Sequence, residues 1–192
     1  MNQSEKRLFL IQSLLNERPS CQKQVIPADS ERQKILLRGL MNVRRPARIG
    51  TEFLQVQDEY LQGETAAKGV TDIADLTPIQ SGLYLWQGDI TTLRCDAIVN
   101  AANSGMTGCY IPNHRCIDNA IHTYAGVELR LACAELMERQ GYPEPTGQAK
   151  ITPAFNLPCK YVLHTVGPII NGRVTKEDEE LLASCYRSCL EL

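Results

Sequence analysis

The residues most capable of chemistry lie in one short loop, within the segment GCYIPNHRCIDNAIH at 108–122. The loop contains Cys109, His114 and Cys116 in a C-x4-H-x-C spacing. Zinc prefers thiolate sulfur and imidazole nitrogen, and a loop stiffened by Pro112 would let three such donors converge on one ion. Three protein ligands with one open position is the pattern of catalytic zinc sites. From spacing alone, a Cys/His-containing turn without a metal is the alternative.

A predicted helix begins directly after this loop, near Ile117 and Asp118. The backbone N–H groups at a helix N-terminus lack partners and attract anions, so a phosphate could bind beside the metal. The alternative for Asp118 is a helix-start aspartate favoured by the helix dipole.

Two further polar segments follow predicted strands, VNAAN at 99–103 and GDIT at 88–91. Amides at the carboxyl end of a strand in an α/β sheet commonly face a ligand crevice. Each segment alone is weak evidence, because GDIT also fits an ordinary turn and NAAN also fits a helix-capping segment.

The elements that position these residues fall into two parts. Residues 1–78 are predicted to form a helical extension. Within it, SERQ at 30–33 matches a capping box, Pro46 ends the helix that follows, and Thr51 opens another. The basic run NVRRPAR at 42–48 is interpreted as a solvated helix end.

Residues 79–192 alternate apolar strand-like runs with helical spacing, which predicts an α/β domain. The predicted buried strands are 83–86, 97–100, 149–152 and 161–165, and the predicted helices are 118–139 and 177–192. The last helix runs to the final residue without a capping signal, so we expect the domain to continue beyond it. His122 and His164 are predicted to be hydrogen-bonded core histidines without a catalytic role.

The composition argues against a nucleic-acid or membrane partner. A net charge of −2 provides no basic field for either. No apolar run approaches the roughly 18 residues of a membrane span, and the N-terminus lacks a secretory pattern, so we expect a cytoplasmic protein. In that setting the eight cysteines are expected to be reduced thiols or metal ligands.

Four motifs, taken together and in their order along the chain, resemble those of the macrodomain family. These motifs are GDIT, CDAIVNAAN, IDNAIH followed by AG two residues later, and KYVLHTVGP. The resemblance covers residues 81–192. It implies an ADP-ribose-binding module that has a three-layer α/β/α fold with a central mixed sheet. The segment 108–116 replaces the glycine run of ordinary hydrolytic macrodomains and looks like the zinc-dependent macrodomains of microbial ADP-ribosylation systems. The N-terminal helices and LMNVR at 40–44 extend this likeness to the whole chain.

The resemblance implies a set of site residues. Zinc would lie beside the distal ribose on Cys109, His114 and Cys116, and the catalytic residues would be Asn103, which positions that ribose, and Asp118. The residues expected to bind the ligand are Asp89 at the adenine amino group, Ile90 beside it, Asn103, Ile117 and Asp118, the last two on the loop whose amides hold the pyrophosphate. The family's second, glycine-rich phosphate loop has no counterpart before the chain ends.

The activity expected from the resemblance is zinc-dependent removal of mono-ADP-ribose from proteins modified on aspartate or glutamate. The substrate it suggests is a lipoyl-carrier protein modified by a sirtuin-type ADP-ribosyltransferase. One alternative is a non-catalytic ADP-ribose-binding module in which zinc shapes the pocket. Another is a purely structural metal beside a site for a different phosphorylated ligand.

Overall fold

The computed structural model describes residues 1–18 and 24–192. Three helices form the predicted N-terminal extension: α1 (Gln3–Asn16), α2 (Ser30–Val43) and α3 (Thr51–Lys68). Their apolar faces pack into one cluster, which also takes in Val127 and so joins the extension to the rest of the chain. Asp29, one residue before the predicted capping box, caps α2 by accepting a hydrogen bond from the Arg32 amide at 2.9 Å.

Seven strands follow, in three sheets. The short ladders pair β1 (Thr71–Asp72) with β4 (Leu93–Arg94) and β2 (Pro78–Gln80) with β3 (Leu83–Tyr84), and the central sheet contains β5 (Ala97–Ala102), β6 (Ala149–Pro153) and β7 (Tyr161–Val166). The central order is β5-β7-β6, with β5 parallel and β6 antiparallel to β7. The sheet is therefore mixed, as predicted.

Helices cover both faces of the central sheet. On one face, α4 (Ile117–Ala125) and α5 (Val127–Gln140) share a buried cluster with Ile98 and Val162. On the other face lies α6 (Lys176–Leu190), whose Cys185 thiol donates to the Val166 carbonyl at 3.3 Å. Successive strand residues point to opposite faces, so this arrangement is the three-layer α/β/α architecture expected from the sequence.

One predicted helix is two helices. The segment 118–139 is broken at Gly126, whose φ is +98°. A side chain there would place Cβ 2.6 Å from Nε2 of Gln57, and the Gln57 Oε1 accepts from the Val127 amide at 2.9 Å. A glycine is therefore needed where α3 contacts the start of α5.

The predicted buried strand at 83–86 is also wrong. Only Leu83 and Tyr84 form a strand, in an exposed ladder outside the central sheet, and Leu85 is 80% exposed. Consequently Asp89 does not end a strand of the sheet; it caps a short 3-10 helix at Ile90–Thr92.

The seven cysteines of the described residues are free thiols, and Cys21 lies outside that part of the chain. Among the described helices, none combines the length and apolar character needed to cross a membrane.

Candidate functional site

The loop from residue 103 to residue 116 connects the end of β5 to the start of α4 and carries most of the predicted site. Asn103 organises its first turn: Oδ1 accepts from the Gly105 amide at 3.0 Å, and Nδ2 donates to the Gly108 carbonyl at 3.1 Å. Gly108 lies directly against α4, because a Cβ there would approach the His122 ring to 2.8 Å. The loop is thus pressed onto the helix that begins with Ile117.

Cys109, His114 and Cys116 come together as predicted, with their ligand atoms all within 4.8 Å of one another. The Cys109 sulfur lies 3.6 Å from Nδ1 of His114. Tetrahedral zinc with ordinary Zn–S and Zn–N bonds separates two such ligands by about 3.6 Å. Cys116 caps α4, since its sulfur accepts from the Asn119 amide at 3.4 Å, and partial burial raises the pKa of its thiol. The donor set therefore fits a zinc ion.

Asp118 lies beside this cluster and is held by two asparagines. It is 5% exposed; Asn100 donates to Oδ1 at 2.8 Å, and Asn103 donates to Oδ2 at 3.4 Å. Burial raises the pKa of the carboxyl group, although the hydrogen bond from Asn100 and the charge of Arg130 act in the opposite direction. The two predicted catalytic side chains, Asn103 and Asp118, are therefore in contact.

His164 lies behind this network, in the middle of β7. Its Nδ1 accepts from Asn100 Nδ2 at 3.1 Å, so the ring proton is on Nε2, which lies 2.9 Å from the Thr152 hydroxyl oxygen. Burial lowers the pKa of His164 to about 4. The residue is a neutral, hydrogen-bonded core histidine, as expected.

His122 is buried as predicted, but it is not hydrogen-bonded. Within the described residues neither ring nitrogen has a hydrogen-bond partner, and Nε2 lies 3.6 Å from Asp118 Oδ1. Burial holds its pKa well below the ordinary value. His122, Cys133 and His164 form a second group of donors within 4.8 Å. We assign it no metal, because both His164 nitrogens already have hydrogen-bonding neighbours.

The predicted adenine-binding residue Asp89 contacts the extension. Its Oδ1 accepts from the Thr91 amide and hydroxyl at 3.0 and 2.6 Å, and its Oδ2 pairs with Lys68 at 3.3 Å. Burial raises the pKa of Asp89, but the Thr91 hydrogen bonds and the Lys68 charge outweigh it and the net shift is downward. Ile90 and Ile117 are both partly buried against the core below the site. Asp89 is thus an ionised acceptor at neutral pH.

Arg130 joins the extension to the loop, a role that the sequence did not indicate. Its guanidinium donates to the Met41 and Asn42 carbonyls at 3.1 and 2.7 Å and lies 4.4 Å from the centroid of the Tyr110 ring. Arg38, Asn42 and Asn119 also contact the loop. Asn42 and Asn119 lie in segments that the sequence singled out, LMNVR at 40–44 and IDNAIH at 117–122, but neither residue was assigned a role there, and Arg38 lies outside every motif.

Comparison with known proteins identifies the family. The sequence model described as Macro domain matches residues 99–192. A protein-ADP-ribose hydrolase from Treponema medium is 60% identical, and the alignment covers 100% of this chain and 75% of the relative. The chain belongs to the macrodomain family.

Two further proteins are similar to this chain. A protein-ADP-ribose hydrolase from Staphylococcus aureus (strain MSSA476) is 50% identical over 96% of this chain and 70% of its own length. A crystal structure of a Trypanosoma brucei macrodomain in complex with ADP superposes with a TM-score of 0.54 at 28% identity, covering 82% of this chain and 67% of the other. The macrodomain fold expected from the motifs is confirmed.

Proposed function

We propose that this macrodomain is a zinc-dependent hydrolase that removes mono-ADP-ribose from proteins modified on aspartate or glutamate. The two bacterial relatives are named protein-ADP-ribose hydrolases, which supports the hydrolase activity. The observation that carries the proposal is the position of Asn103. Its side-chain nitrogen, Nδ2, donates hydrogen bonds both to Asp118 and to the carbonyl of Gly108, the residue before Cys109. A candidate base and a candidate metal site are therefore joined through one side chain.

In this proposal, binding begins at the adenosine end. The ionised carboxylate of Asp89 accepts a hydrogen bond from the adenine amino group, with Ile90 beside the ring. The backbone N–H groups of Ile117 and Asp118 open α4 and hold the pyrophosphate, because a helix N-terminus favours anions. Binding at the unreactive end then orients the distal ribose for reaction.

At the reacting end, Asn103 positions the distal ribose and Asp118 orients a water molecule and accepts its proton. The water oxygen forms a bond to the anomeric carbon of the distal ribose, and the bond from that carbon to the oxygen of the protein carboxylate breaks. The carboxylate departs with the electron pair of that linkage. Zinc held by Cys109, His114 and Cys116 would supply Lewis-acid polarisation at the ribose hydroxyls or the water. General acid–base catalysis of this kind typically contributes about 10²- to 10⁴-fold to the rate.

The modified protein in this proposal is a lipoyl-carrier protein that a sirtuin-type transferase has ADP-ribosylated. The proposed compartment is the cytoplasm.

The test of this function is ADP-ribose release from an aspartate- or glutamate-modified protein by Asp118→Asn. Release should slow by about 10²- to 10⁴-fold, while ADP-ribose affinity and zinc content stay close to those of the wild type. Asp96→Asn is the matched control, because Asp96 is exposed and paired with Lys160 at the opposite end of β5. Undiminished release by Asp118→Asn would remove Asp118 from the mechanism. ADP-ribose binding without release by the wild type would identify a non-catalytic binding module instead.

A further inference from the structure

We infer that helix α2 of the extension is part of the metal site, with Arg38 and Asn42 as positioning residues for the segment 109–116, called here the metal loop. This inference rests on the proposed zinc site. It assigns the extension a role beyond packing, because it makes the affinity for the metal depend on a helix about 70 to 80 residues earlier in the chain.

Arg38 contacts the metal loop directly and through Asn119. One of its terminal nitrogens donates to the His114 carbonyl at 3.1 Å, and the same nitrogen and Nε donate to Asn119 Oδ1 at 2.9 and 3.2 Å. Asn119 is completely buried. Its backbone amide donates to the Cys116 sulfur at 3.4 Å, and its Nδ2 donates to the Ile111 carbonyl at 3.1 Å. The guanidinium of Arg38 thus holds both the backbone of one metal ligand, His114, and Asn119, which donates a hydrogen bond to a second ligand, Cys116.

Asn42, one turn further along α2, holds the middle of the loop. It is 1% exposed, its Oδ1 accepts from the Asn113 amide at 2.9 Å, and its Nδ2 donates to the Thr123 hydroxyl at 2.9 Å. Asn113 has a φ of +56°, a left-handed conformation that asparagine adopts more readily than most non-glycine residues. The hydrogen bond from its backbone amide to Asn42 holds the loop in this turn.

The metal loop has little regular backbone bonding of its own. Among the described residues, its one backbone–backbone hydrogen bond within 109–116 runs from the His114 amide to the Ile111 carbonyl at 3.2 Å. Gly39 allows α2 to approach closely, since a Cβ there would lie 3.1 Å from Asn113 Nδ2. The loop conformation that brings the three donors together is therefore imposed largely from outside.

A preorganised loop binds a metal more tightly because the ordering of its donors is already complete before binding. Removal of an outer hydrogen-bonding partner typically lowers metal affinity about 10- to 100-fold. We expect an effect of that size for Arg38→Ala. Arg38→Lys should fall between Arg38→Ala and the wild type, because lysine keeps the charge but lacks the planar fork that reaches both oxygens.

The test is titration of the metal-free full chain with cobalt(II), followed by the thiolate-to-cobalt absorption, and with zinc in competition with a chromophoric chelator. Arg32→Ala is the matched control, because Arg32 is an exposed arginine on the same helix and donates no side-chain hydrogen bond within the described residues. Circular dichroism of the metal-free variants verifies that each is folded. If Arg38→Ala does not fold, the affinity of Arg38→Lys decides.

The expected result is a weakened affinity for Arg38→Ala, an intermediate one for Arg38→Lys and a wild-type affinity for Arg32→Ala. Folded Arg38 variants that bind cobalt and zinc as tightly as the wild type would overturn the inference while leaving the proposed zinc site intact. A wild-type chain that binds neither metal would instead refute the zinc site itself, and the inference with it.

Discussion

Protonation of His164 should destabilise the fold in acid. The imidazole is completely buried, and burial lowers its pKa from 6.5 to about 4. Between these two values the unfolded chain binds a proton that the folded chain does not, so stability falls as the pH falls from 6.5 toward 4. A difference of two and a half pKa units corresponds to about 3 kcal/mol, of which about 2.5 kcal/mol is lost by pH 4.5.

The surroundings of His164 determine the choice of variant. Asn100 donates to Nδ1, the Thr152 hydroxyl and the Cys133 sulfur lie 2.9 and 3.8 Å from Nε2, and the His122 ring centroid lies 6.0 Å away. In His164→Asn, the amide oxygen can accept the Asn100 bond in place of Nδ1. The smaller side chain lowers stability at every pH, but it removes the proton-binding group.

The assay is urea unfolding of metal-free protein at pH 7.5 and pH 4.5, followed by circular dichroism. Between pH 7.5 and pH 4.5, the free energy of unfolding should fall by about 2.5 kcal/mol less for His164→Asn than for the wild type. Burial, and to a smaller extent the charge of His164, also lower the pKa of His122, so both proteins keep some acid sensitivity. The difference between them therefore reports His164 together with its effect on His122. Thr152→Val keeps the imidazole, so its free energy of unfolding should fall by as much as that of the wild type. Equal acid losses for His164→Asn and the wild type would refute the reasoning.

Three further variants test separate parts of the account. Asp89→Ala should weaken ADP-ribose binding about 10- to 100-fold by calorimetry and spare the zinc, because it removes a charged hydrogen-bond acceptor; loss of zinc would indicate a role in folding instead. Cys116→Ser should lower the zinc content of the purified protein, measured by mass spectrometry, and an unchanged content would show that Cys116 is not a ligand. Gly126→Ala should lower the free energy of unfolding by roughly 1 to 3 kcal/mol, because φ is +98° and Cβ would meet Gln57, and an unchanged melting temperature would contradict this.

Local patterns predicted much of the fold. The central strands and α6 agree with their predicted positions to within two residues, because short apolar runs bounded by turn residues indicate buried strands and apolar residues at helical spacing indicate a helix. The errors come from contacts that are distant in sequence. The break at Gly126 depends on Gln57 in α3, and the segment 83–86 is apolar but lies outside the central sheet. Arg44, predicted to be solvated, is buried and its Nε lies 2.7 Å from Glu17 Oε2.

Some residues of the candidate site could be predicted from the sequence and others could not. Cys109, His114 and Cys116 could be grouped from sequence because eight residues contain all three donors. Asn103 and Asp118 could be added only through the family motifs, since neither residue alone differs from a loop asparagine or a helix-start aspartate. The support from Arg38 could not be predicted, because 76 and 81 residues separate it from the groups it contacts.

The most direct test of the central claim is release of ADP-ribose from an aspartate- or glutamate-modified protein by this 192-residue chain. Release is measured with zinc, after chelation with metal removal verified, and after zinc is restored. The account predicts release that disappears on chelation and returns with zinc. Equal release from the metal-free protein would contradict the zinc dependence, and no release under any of the three conditions would contradict hydrolysis by this chain.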